Sequence, residues 1–119
     1  MKWVEVSLAI GNEQLQQMEN AARRSPNSEV CGLLYADAFI PLNNISNHNR
    51  SFRANPSDLA YVLATRGEPP AIFHTHPSGD LLPSEADKSE WFYFGSVIVI
   101  GALRDERLQL KSYRIITRN

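Results

Sequence analysis

Ala71-Ile72-Phe73-His74-Thr75-His76-Pro77 reads as the end of a buried β-strand that delivers two histidines to one place. Side chains two apart on a strand share a face, so both imidazoles project into one small volume. Pro77 has no N–H to give a ladder and ends the strand. Ser78-Gly79-Asp80 then makes a loop, and a helix is expected to start near Ser84 and swing Asp87 back toward the histidines. Two imidazoles and one carboxylate make an open zinc site, with a fourth position left for water.

Working outward, the pattern predicts a mixed α/β fold. Val4, Val6, Leu8 and Ile10 alternate within a first strand over Trp3 to Ile10. Leu15, Met18 and Ala22 then mark the buried face of a helix that ends at Arg23-Arg24, where the macrodipole favours cations. Val30 to Tyr35 and Phe39 to Ile45 read as paired strands, and the Asn-rich stretch from Ser46 to Ala54 as surface loop. Asn55-Pro56-Ser57-Asp58 is a helix start with cap, proline and first-turn acid in place, and Gly67 is its stop. Beyond the helix near residues 84 to 92, Ser96 to Ile100 suits a central strand buried on both faces. Leu108 to Ile116 alternates as a last, half-exposed strand. The order β-α-β-β-α-β-α-β-β implies an α+β mixed sheet with flanking helices, all within one domain spanning residues 1–119.

Composition narrows the partners. A formal net charge of −1 gives no electrostatic case for nucleic acid or an anionic membrane. No apolar run approaches the roughly 20 residues that span a bilayer. The single cysteine, Cys31, cannot form an internal disulfide, so a cytoplasmic, reducing location is expected. Cys31 also lies in an apolar run with no adjacent base, which speaks against a cysteine nucleophile. It also excludes the Pro-Cys-x-x-Cys ligand set of zinc deaminases.

Each site residue has a plainer use. Ser84-Glu85-Ala86-Asp87 resembles a capping box, and a lone strand-end histidine is usually just a satisfied polar residue. Co-occurrence changes the balance, because two same-face histidines in an apolar strand must each find partners and one metal ion partners both. His48 lies in the Asn-rich loop, where solvation is its default, and Asp80 suits its turn without any metal. Asp87 is the expected third ligand. A hydrolytic site also needs a base, yet spacing alone does not separate Glu29 from the other glutamates. Trp91-Phe92-Tyr93-Phe94 is expected to pack in the core.

The string Glu29-Val30-Cys31-Gly32-Leu33-Leu34, followed by His74-x-His76-Pro77, Ser84 and Asp87, resembles the JAMM (MPN+, Mov34/Pad1-type) zinc metallopeptidase family. The resemblance implies the MPN fold of JAB-type domains, which is cytidine-deaminase-like, over almost the whole chain. It implies one catalytic Zn2+ held by His74, His76 and Asp87. Glu29 would deprotonate the water at the zinc and pass the proton to the leaving amine, and Ser84 would help stabilise the oxyanion. Members of the family cleave peptide or isopeptide bonds after the flexible, Gly-Gly-like tails of ubiquitin-like or sulfur-carrier proteins. The short chain, without a long insertion or a fused second domain, fits a prokaryotic member or a phage-tail-assembly type. A non-catalytic scaffold of the same fold is the alternative, though such relatives have usually lost ligands that this chain keeps. Oligomeric state is left open by the sequence.

Overall fold

The computed structural model describes residues 2–45, 54–84 and 97–116. Asp87, His48, the aromatic run Trp91 to Phe94 and the helix expected after Ser84 lie outside the described residues. The elements are β1 (Lys2–Val6), α1 (Asn12–Arg24), β2 (Cys31–Leu34), β3 (Phe39–Leu42), α2 (Pro56–Arg66), β4 (Ala71–Thr75), β5 (Val97–Arg104) and β6 (Arg107–Ile116). Six strands form one sheet in the order β1-β6-β5-β4-β2-β3. The β4–β5 pair is parallel and every other pairing is antiparallel, so the sheet is mixed as expected.

The sheet has an apolar cluster on each face. Ala71, Phe73, Val97, Val99 and Leu34 pack against Met18 and Ala21 of α1. Ile72, Ile98, Ile100 and Leu33, from the alternate positions, pack with Val62 of α2. This period of two makes β4 and β5 continuous apolar runs, since both of their faces are covered.

Local chemistry sets the helix ends. The Asn55 side chain accepts from the N–H groups of Ser57 (2.9 Å) and Asp58 (3.3 Å), and Gly67 closes α2 through its N–H to Leu63 O at 2.9 Å. Both ends of α2 fall where the sequence places them. α1 follows Gly11, whose N–H is taken by Gln14 Oε1 at 2.9 Å. The first strand is shorter than its alternation implies. β1 pairs with β6 from Lys2 only as far as Val6, opposite Ser112, while Leu8 and Ile10 continue to bury one side without a strand partner.

Candidate metal centre

The pairing of β2 with β4 builds the centre. Cys31 lies opposite His74 and Leu33 opposite Ile72. Facing residues on paired strands share a side of the sheet, so His74 points to the α2 side with Ile72. The same register carried two residues further puts Glu29 opposite His76. Glu29 stands before β2, His76 follows β4, and β5 holds His76 in line through the His76 N–H to Gly101 O bond of 2.9 Å. Three residues separated in sequence thus meet where the β2–β4 ladder ends.

All three are buried: His74 is 0% exposed, Glu29 4% and His76 7%. One ligand atom from each lies within 4.8 Å of the others. The Nε2 atoms of His74 and His76 are 3.1 Å apart. In a tetrahedral zinc site, bonds of about 2.0–2.1 Å put two nitrogens about 3.3 Å from each other. The donor spacing therefore suits one shared ion.

The tautomer suits it too. His76 Nδ1 lies 2.8 Å from the backbone oxygen of Asp80, and a carbonyl only accepts, so Nδ1 carries the proton. In the neutral ring the lone pair then sits on Nε2, facing His74. A backbone carbonyl holding the second nitrogen is the usual support of a metal-ligating histidine. The turn after His76 places that carbonyl. Gly79 donates its N–H to His76 O at 3.0 Å, and its φ of 87° belongs to the region that favours glycine. Arg104 Nη2 pins the turn by donating to Gly79 O at 3.2 Å.

The sequence reading of Asp80 as a turn residue holds for its side chain. Its Oδ1 accepts from the Leu82 N–H at 2.9 Å. The support of His76 by its backbone was not foreseen; the Pro77-Ser78-Gly79 turn, which brings the chain back, was the available signal. Ser84 lines a cleft of about 140 Å³ together with Glu29, His76, Pro77, Ser78 and Asp80. Of the residues expected at the site, Glu29, His74, His76 and Ser84 are thus gathered in one place, and Asp87 falls outside the described residues.

Cys31 adjoins this centre without taking part in it. Burial, and then the charge of Glu29, push its thiol up to about 12. Its Sγ donates toward Leu42 O at 3.7 Å. At pH 8 an unfolded thiol is partly ionised, so the folded protein is expected to react with a thiol reagent about 10³-fold more slowly than the denatured chain. Comparing rates with and without denaturant checks this, and similar rates would mean an accessible thiolate. Because the folded value lies above the ordinary 9.0, the associated stability is present below pH 9. It is lost as the pH rises toward 12.

The model of the prokaryotic homologues of the JAB domain matches residues 12–116. The chain belongs to this family. The match takes in α1, both histidines and Glu29, and it bears out the JAMM/MPN resemblance read from the motif. The JAB-domain fold also recurs in two solution structures of bacterial proteins. Protein DSY2949 from Desulfitobacterium hafniense is 27% identical, with a TM-score of 0.73 over 87% of this chain and 81% of that one. A protein from Salinibacter ruber is 21% identical, with a TM-score of 0.55 over 89% and 80%, and shows the fold alone. Among curated proteins no relative matches. No helix among the described residues is long and apolar enough to cross a membrane.

Proposed function

We propose that this JAB domain is a zinc metallopeptidase that hydrolyses the peptide or isopeptide bond after the C-terminal tail of a ubiquitin-like or sulfur-carrier protein. The observation that carries the reading is the buried Glu29–His74–His76 cluster, with its donor atoms within 4.8 Å, of which Glu29 and His76 line a small cleft. His74 and His76 would hold the ion, with Asp87 as third ligand on the strength of the sequence motif. When bound, zinc would supply Lewis acidity toward the scissile carbonyl and lower the pKa of water.

The remaining work falls to the chain's own residues. Glu29 takes a proton from the attacking water and delivers it to the leaving amine, which needs a carboxylate within reach of both. Ser84, lining the same cleft, donates to the oxyanion as the carbonyl becomes tetrahedral. The Asp80 carbonyl keeps the His76 ring turned with Nε2 toward His74.

Cleft size supports the tail as substrate. At about 140 Å³ it is roughly half the lower end of the ~300–1,000 Å³ found for small-molecule pockets. A Gly-Gly backbone passes through such a space because it carries no side chain. The extended tail would add main-chain hydrogen bonds at a strand edge. The single, buried Cys31 accords with a cytoplasmic setting, and the family match over most of the chain with one domain.

The test is a panel of ubiquitin-like domains fused through a Gly-Gly tail to a reporter, incubated with the metal-free protein and with added zinc. Zinc-dependent cut after the second glycine is expected. A protein that binds zinc yet cuts no tail would identify a scaffold instead.

A further inference from the structure

We propose that Thr75 and Asn44 aim Glu29 by clamping the peptide unit that follows it, which makes Thr75 a positioning residue for the reaction. The inference rests on reading Glu29 as the base.

The register places Val30 opposite Thr75, since Cys31 faces His74. A hydrogen-bonded antiparallel pair normally exchanges two backbone N–H···O=C bonds. Here one is made, from Thr75 N–H to Val30 O at 2.9 Å. The other is diverted: Val30 N–H donates to Thr75 Oγ1 at 2.8 Å, a side-chain hydroxyl standing where the ladder would use a carbonyl. On the opposite flank, β3 pairs with β2 only as far as Leu42, opposite Cys31. Beyond it, Asn44 Nδ2 donates to Glu29 O at 2.8 Å.

The two polar groups of the Glu29–Val30 peptide, C=O and N–H, are therefore held by side chains from the two flanking segments. A peptide unit is planar, so holding both of its polar groups fixes its tilt and with it the direction of the Glu29 side chain. Regular pairing would have continued β2 straight through Glu29. The diversion frees the strand from the ladder while the register still brings the carboxylate to His76. Thr75 is 5% exposed and stands between the two histidines, so the element that presents the metal ligands also presents the base.

Thr75→Val keeps the branched shape and removes the hydroxyl. Misplacing a catalytic group by about 1 Å costs on the order of 10²-fold, and with zinc content unchanged that loss is expected in kcat, with KM within about twofold. Thr75→Ser retains the hydroxyl and is expected to recover most of the rate, which a packing role for the lost methyl would not allow. Asn44→Ala, acting from the other flank, is expected to lower kcat alone as well. Amide exchange in the zinc-loaded protein reads the clamp without catalysis: the Val30 N–H should exchange about ten times faster or more in Thr75→Val, with Ile98 and Val99 unchanged. Unchanged Val30 exchange, or a kcat loss that serine does not recover, would overturn the proposal. If the wild-type protein cuts no tail, the assignment of Glu29 as base fails, while amide exchange still decides the clamp.

Discussion

Glu29→Gln is expected to abolish tail cleavage while leaving zinc bound. Glutamine matches glutamate in size and keeps one carbonyl acceptor, so packing around a residue that is 4% exposed should be retained. It cannot accept a proton at neutral pH. General-base catalysis contributes about 10²–10⁴-fold, and here the same carboxylate is proposed both to take and to return the proton, so a loss toward the upper end is expected in kcat. Zinc content should stay within about twofold, because His74 and His76 keep their spacing and the Asp80 carbonyl still fixes the His76 tautomer. Measuring kcat at saturating substrate alongside metal analysis separates the two effects. A glutamine variant that still cuts would move the base elsewhere, and one that loses its zinc would make Glu29 a ligand.

What the sequence disclosed about this fold follows from how local each signal was. The limits of α2 were legible because Asn55 and Gly67 act within a turn of the helix they bound. The histidine pair was legible because a two-residue period needs only β4 and the residue that follows it. The end of β1 was not, because the alternation of Leu8 and Ile10 reports burial, and burial continues past Val6 where pairing stops. Glu29 was the hardest. It lies 45 positions before His74, and only the β2–β4 register brings them together; in the sequence it emerged through resemblance to a family motif. The two supports of the site were invisible for a related reason. Asp80 acts through its backbone carbonyl, and Thr75 acts on a strand neighbour, so neither residue type signalled its use.

The identity of the third ligand gives the sharpest remaining prediction. Asp80 is four residues from His76 and close to it in space, yet its Oδ1 accepts from the Leu82 N–H at 2.9 Å and its backbone oxygen faces His76 Nδ1. Turning that side chain toward the ion would break the bond that shapes the turn from which the backbone carbonyl supports the His76 ring. Asp87 has no such conflict in the sequence motif. It lies three residues beyond Ser84, which lines the cleft, and three residues reach at most about 11 Å. Asp87→Ala is therefore expected to weaken zinc binding by about 10²–10³-fold, an even share of the ~10–16 kcal/mol that a four-ligand zinc site supplies. Asp80→Ala keeps the backbone carbonyl and loses only the side-chain turn bond, so a loss of no more than about 10-fold is expected, at the low end for outer-shell partners. Competition titrations with a chromophoric chelator read both variants on one scale. The opposite ranking would make Asp80 the ligand, and a strong loss in neither would direct attention to His48.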